Sequence, residues 1–411
     1  MIISSPENNY DIVVVGGGMV GASFAHILSK SLISSCPNIL VAEATVPKTD
    51  ISNQSSFDAR STVLSFGSRQ IYESIGLWEE IEEQVCPIFE IQVSDRGRFG
   101  STCLTREEHG VEALGYVVEN TDLGIVLNTQ LSQSESIAHL APAIIEKISP
   151  KEEGMTLEIV AGENRFEVLA GLVVLADGGH SPICEQLGIE QLKESYNQHA
   201  IITNATFELP HQFCAFERFT DTGPLAVLPL REFNGENRCS LVWTVSAEES
   251  AEYMKFDDDE FIAKLQNSFG NRLGKVIQVG EKFCYPLSLS LAKEQIRPSL
   301  VLLGNVAHTL HPVAGQGLNL ALRDIDALVS TLSSAVTQEE PLGDMATLQS
   351  YIEEQDFDQQ KFIRFTDSLT KLFSSNNQSN VITRQLGLLS LELMPAARKT
   401  FAEQAMGLVA R

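Results

Sequence analysis

The sequence has no run of eighteen or more apolar residues, and a helix needs about 20 to cross a bilayer. It has no basic, apolar leader either: Met1 to Asn9 is polar, and the run Ile12 to Val15 is too short for the core of a signal peptide. Positive charge is scarce. Lys and Arg number 29 against 54 Asp and Glu, for a formal net charge of −25, and a field of that sign repels phosphate backbones, which argues against a nucleic-acid partner. The seven cysteines, at 36, 86, 103, 184, 214, 239 and 284, are odd in number and never spaced Cys-x-x-Cys. That pattern fits reduced thiols and gives neither a disulfide frame nor a metal site. These absences leave a soluble chain, expected in the cytoplasm.

At 43% hydrophobic and 20% charged, the 411 residues lie in the globular range and exceed what one core needs. Asp11–Val15, Ile39–Ala44, Gly171–Leu175 and Leu300–Leu303 read as buried strands, and Gly21–Leu32 as a helix. Strand and helix alternate there, as in parallel βαβ construction. Phe89–Cys103 and Ala200–Tyr285 are different, with aromatics and short alternating runs such as Cys239–Thr244 that suggest antiparallel strands. The last seventy or so residues read as helices. The fold expected is α/β: a Rossmann-type domain formed by residues 1–80, 108–185 and 290–340, interleaved with an antiparallel-sheet domain at 81–107 and 186–289. Residues 341–411 then form a C-terminal helical region.

Gly16, Gly18 and Gly21 spell G-x-G-x-x-G directly after the first strand, with Gly17 between the first two. Gly16 allows the tight turn, Gly18 lets backbone approach a pyrophosphate, and Gly21 lets the helix pack on the strand with its N-terminus toward the anion. Glu43 ends the next strand about 20 residues on, where an acid holds a ribose 2′-hydroxyl. A glycine turn alone is weak evidence, but with its strand, helix and acid it indicates a dinucleotide. Only one complete motif of this kind is present, which argues against a permanent second nucleotide domain.

Two later segments are Leu172 to Ser181, containing Ala176-Asp177-Gly178-Gly179, and Leu303 to Asn319, containing Gly304-Asn305 and Pro312-Val313-Ala314-Gly315-Gln316-Gly317. In this order the three motifs resemble the flavin monooxygenases that hydroxylate aromatic rings. Phe57-Asp58-Ala59-Arg60, Val93 to Gly97, and Phe216 to Thr220 with Gly223 to Pro229 extend the likeness over nearly the whole chain. They resemble the branch of that group that serves ubiquinone biosynthesis, the UbiH type.

The resemblance implies bound FAD, with NAD(P)H as a transient co-substrate. It places Arg60 at the pyrophosphate and Asp177 near the ribityl chain, with Gly304, Asn305, Gly315, Gln316, Gly317 and Asn319 around the flavin. Asn305 stands where the wider group has Asp, which removes a charge and keeps an acceptor oxygen. Ile125-Val126 stands where many relatives have a glutamine. No residue is assigned as catalytic; Pro312 and Gln316 are candidates to face the flavin. Phe216, Arg218, Phe219, Leu228 and Trp243, together with Leu225, are candidates for the substrate pocket, where ordinary core packing is an equal alternative. His308 and His311 receive no role.

The chemistry so implied is delivery of one atom of O₂ from the flavin C4a position to the ring of a polyprenylated phenol, 2-octaprenyl-6-methoxyphenol. Two other readings stay open: a non-catalytic flavoprotein scaffold of a quinone-biosynthesis complex, and an FAD-dependent isoprenoid reductase. Halogenation is disfavoured, since Trp78 and Trp243 are too far apart for a paired-tryptophan motif. From Lys371 onward the charges are five basic against two acidic. This leucine-rich tail could contact the inner membrane peripherally or bind proteins of the pathway, and packing on its own FAD domain is about as plausible.

Overall fold

The computed structural model describes residues 3–32, 37–46, 60–96, 101–310 and 317–374, and beyond them Lys399, Ala402, Glu403, Met406 and Gly407. Pro312, Gly315 and Gln316 lie outside the described residues, as do His311, Phe57 to Ala59 and most of the basic tail.

The β-branched run Ile12 to Val15 has no polar face, and the strand Asn9–Val15 is accordingly central and covered on both sides. It pairs in parallel with Ile39–Ala42 on one side and Asn164–Leu175 on the other. Ile137–Leu140 and Leu300–Leu302 extend the parallel order outward. Met19–Ser31, Asn120–Gln133 and Gly317–Thr337 pack on one face through Phe24, Leu28, Leu127, Leu322 and Ile325. An antiparallel pair, Ile144–Lys151 and Gly154–Ala161, covers the other through Ile148, Leu157 and Ile159.

A second sheet has nine strands, with Gln191–Phe207, Asn237–Ser246, Pro224–Pro229 and Cys214–Phe219 at its centre. The region 200–285 is not strand throughout. Two helices, Ala247–Tyr253 and Asp258–Phe269, each start with a capping box, Ser246 with Glu249 and Asp257 with Glu260. They lie on one face of the sheet, where Trp243 meets Tyr253 and Phe261 at ring-centroid distances of 5.1 and 5.9 Å. Glu90–Asp95 also departs from expectation: it is antiparallel to Ser101–Thr105 but parallel to Cys214–Phe219.

The two sheets interleave along the chain and are joined by a third, three-stranded sheet of Ser61–Ser65, Val85–Ile88 and Gly115–Glu119. Across that junction Arg238 grips Glu119 with two guanidinium nitrogens, at 2.8 and 3.3 Å. Both side chains are largely buried, so the fork is a fixed clamp and not a solvated surface pair. The expected C-terminal helix is present as Met345–Ser374. Farther on, Ala402 and Met406 are buried against Ile88, Leu104, Ala215 and Leu230, so this part of the tail packs on its own chain.

Candidate cofactor crevice and the chamber beside it

A crevice of about 490 Å³ opens at the carboxyl ends of the parallel strands. It is lined by Gly16, Gly18, Glu43, Asp177, Asn305 and Gly317 among others, bringing together residues from all three motifs. This is where an open α/β sheet offers a ligand the free ends of its strands and helices.

The glycines do different work. Gly16 has φ +99°, and a Cβ there would lie 2.6 Å from the Ala176 carbonyl oxygen. A Cβ on Gly21 would come within 2.0 Å of the Gly16 oxygen, so Gly21 is required by helix–turn packing. At Gly18 a Cβ would meet nothing within 4 Å; it would project into the space the crevice keeps free. Gly18 is also the N-cap of Met19–Ser31 and offers no side-chain partner to the helix's first N–H groups, which suits an anion.

Glu43 turns its carboxylate inward: Oε2 accepts the Gly17 N–H at 2.7 Å, and Oε1 accepts the Thr45 N–H and hydroxyl. Asp177 has a buried Oδ1 with no hydrogen-bond partner. Burial pushes its carboxyl pKa up, opposed in part by the Ser181 hydroxyl. Asn305 is exposed at the crevice, and Gly304 holds φ +69° against Val20. Free glycine space, uncapped helix N–H groups and an unpartnered buried acceptor fit a bound dinucleotide.

Residues 9–366 match the family described as FAD binding domain. This chain belongs to that family. The ubiquinone hydroxylase UbiL of Rhodospirillum rubrum is 32% identical over 409 residues, covering 99% of this chain and 91% of that protein. The 3-demethoxyubiquinol 3-hydroxylase of Escherichia coli is 28% identical over 398 residues, covering 97% and 98%. Among solved structures, the p-nitrophenol 4-monooxygenase PnpA of Pseudomonas putida superposes with a TM-score of 0.78 at 15% identity, over 97% of this chain and 99% of that one. At that identity the likeness is one of fold. The flavoprotein is an FAD-dependent monooxygenase, with FAD as cofactor and NAD(P)H as the reductant typical of its family.

Several residues that the sequence singles out are held by the flavoprotein's own groups. Asn319 is fully buried: its Oδ1 accepts the Ser65 N–H and the Ser68 hydroxyl, and its Nδ2 donates to the Val63 carbonyl. Its amide is used to pin Ser61–Ser65 to the long helix, and sequence alone could not separate that task from flavin contact. Arg60 is exposed, with its guanidinium carbon 6.0 Å from the centroid of the Tyr285 ring. Ile125 is buried and Val126 packs on the core beneath the parallel sheet. His308 is fixed structurally, with Nε2 2.6 Å from Asp324 Oδ2 in a fully buried pair.

Of the expected pocket residues, Trp243, Leu225 and Arg218 share the sheet face that packs the two helices, Arg218 donating through Nε to the Ser268 carbonyl at 3.0 Å. Phe216 stands on that face against Phe269 and borders the other side as well. Phe219 is buried at the end of its strand. Leu228 does line a chamber of about 90 Å³ on the opposite face, with Val63, Leu104, Leu114, Ala402 and Met406. The crevice and the chamber share the strand Ser61–Ser65 and the first turn of the helix Gly317–Thr337. Glu217 also lines the chamber and was not among the expected residues. Its signal was there to read: strand alternation puts it on the face opposite Phe216 and Arg218.

Proposed function

We propose that this flavoprotein hydroxylates the aromatic ring of a polyprenylated phenol in ubiquinone biosynthesis, with 2-octaprenyl-6-methoxyphenol as the substrate. The observation that carries the reading is the apolar chamber beside the cofactor crevice, shared by one strand and one helix start. The names of the two relatives, each matching nearly the full chain, support the pathway.

In this reading Gly16, Gly17, Gly18, Gly21 and the start of Met19–Ser31 receive the pyrophosphate of FAD, with Arg60 at its edge, and Glu43 receives the adenosine ribose. Asp177, Gly304, Asn305 and the turn through Gly315, Gln316 and Gly317 hold the flavin half. Bound FAD supplies the activation of O₂, chemistry that no side chain offers. The protein positions the ring and excludes water: Val63, Leu104, Leu114, Leu228 and Met406 form a wall without hydrogen-bonding groups. At about 90 Å³ the chamber is too small for a polyprenyl chain, whose tail then leaves past the wall. The division into 1–80, 108–185 and 290–340 for FAD, 81–107 and 186–289 for the covering sheet, and 341–411 for the C-terminal region belongs to the same reading.

Among the described residues no helix is long and apolar enough to cross a membrane. A cytoplasmic protein that meets the inner membrane peripherally suits an insoluble phenol, with the basic tail drawn to anionic lipid or to proteins of the same pathway. Mass spectrometry of lipid extracts from cells lacking the protein tests the proposal: an unhydroxylated prenyl-phenol should accumulate, and an unchanged quinone pool would contradict it.

A further inference from the structure

Among the described residues Glu217 is the one ionisable residue that lines the chamber, and it has no hydrogen-bond partner among them. Its strand pairs it with Val93 on one side and Ala226 on the other, both apolar. Arg218, next along the chain, points to the opposite face and is spent on the Ser268 carbonyl. The other polar side chains lining the chamber are Ser65, engaged with Ser68, and Asn319, engaged with Ser65, Ser68 and Val63. Neither the strands 90–95 and 224–229, the strand 61–65, the helix start at 317 nor Ala402 and Met406 bring a charge to it. Glu217 is partly buried, and a carboxylate without a protein partner in an apolar wall is poorly solvated, so it suits a ligand that supplies a proton donor.

Resting on the function proposed above, we infer that Glu217 receives the phenolic hydroxyl of the substrate and accepts its proton as the ring is oxygenated. The O–H bond breaks, its electron pair stays on the phenolic oxygen, and the proton passes to a Glu217 carboxylate oxygen. The oxygen atom and the electrons come from the monooxygenase reaction itself. As the ring carbon gains oxygen, density drains from the phenolic oxygen and its proton becomes acidic. A base poised near neutrality is then best matched to take it. Desolvation has placed Glu217 there, its carboxyl pushed up to about 7. A phenol bound to this acceptor is held by one fixed hydrogen bond, which selects the ring's orientation in an otherwise non-directional chamber.

The test uses the full-length, FAD-loaded protein, with 2-methoxy-6-(3-methylbut-2-enyl)phenol and its O-methyl ether as probes. Binding to the oxidised enzyme, without NAD(P)H, is followed by perturbation of flavin absorbance. The phenol should bind about tenfold or more tightly than the ether at pH 8, where Glu217 is ionised, and the ratio should fall below pH 7. In Glu217→Gln, an isosteric change checked by FAD content and thermal melting, the amide keeps an acceptor oxygen but cannot ionise, so the ratio should fall below that of the wild type at pH 8 and lose its dependence on pH. Turnover should drop roughly 10²–10⁴-fold and recover in part with a more acidic, ring-fluorinated phenol. A wild-type ratio that does not change with pH, or a variant that keeps both ratio and turnover, overturns the role of Glu217. Failure of the wild-type enzyme to hydroxylate the phenol at all would instead overturn the function on which it rests.

Discussion

Glu43 Oε2 and the Gly17 N–H are 2.7 Å apart, so the acid that ends the second strand also holds the glycine turn that follows the first. Removing the side chain loosens that turn and, in the proposed reading, also removes the group that receives the adenosine ribose. A hydrogen bond to a charged group contributes roughly 1.5–3 kcal/mol. Glu43→Ala should weaken FAD binding by about 10- to 100-fold, and Glu43→Gln, which keeps one acceptor oxygen, by less. Titration of apoprotein with FAD, read by quenching of flavin fluorescence, measures both.

Gly18 and Gly21 separate binding from folding. A side chain at Gly18 enters open crevice, whereas at Gly21 it collides with the Gly16 carbonyl. Gly18→Val should leave the melting temperature of the apoprotein within a few degrees of wild type and abolish retention of FAD through purification. Gly21→Ala should lower the melting temperature of the apoprotein itself. Equal behaviour of the two variants would contradict the separate tasks given to them.

Asp177 carries a dependence on pH whose sign can be worked out. Burial raises its pKa in the folded protein above the ordinary value of 3.8, so the folded chain binds the proton more tightly than the unfolded chain. Ionisation then costs stability, and the cost grows as pH rises from about 3.8 through the folded value. Apoprotein carrying Asp177→Asn should be more stable than wild type at pH 7, with the difference narrowing toward pH 4, and it should bind FAD less tightly. Urea unfolding at a series of pH values reads the first effect and FAD titration the second.

His308, Asp324 and Gln359 form a buried group in which Asp324 accepts from Gln359 Nε2 at 2.9 Å and lies 2.6 Å from His308 Nε2. Taking away one partner of such a group leaves the other desolvated and unpaired, at about 3–5 kcal/mol. Asp324→Ala should lose that much stability in urea unfolding. Its folded fraction should keep the same FAD affinity, since none of the three residues lines the crevice.

The parallel sheet was legible because runs such as Ile12 to Val15 admit no solvent face, and the glycine spacing before Met19–Ser31 has few other physical uses. The chamber was harder to read. In Cys214–Phe219 and Asn237–Ser246 both faces are covered, one by helices and one by the rest of the protein, so alternation separates two sets of residues without saying which looks toward the cofactor. Trp243 and Arg218 are pocket candidates by sequence, yet they belong to the helix-covered set. Asn319 sits in the right motif and serves the fold. Glu217, between Phe216 and Arg218, is hard to single out by sequence, because a lone carboxylate in a strand usually reads as a solvated position.

The central claim is oxygen-dependent ring hydroxylation, and one experiment meets it directly. Purified FAD-loaded protein is supplied with NAD(P)H, ¹⁸O₂ and 2-methoxy-6-(3-methylbut-2-enyl)phenol, and the product is weighed by mass spectrometry while O₂ uptake is followed. The account predicts phenol-stimulated consumption of O₂ and NAD(P)H, with one ¹⁸O atom incorporated into the ring. Saturation of the prenyl double bond in the absence of O₂, or flavin reduction that leaves the phenol unchanged, would contradict it.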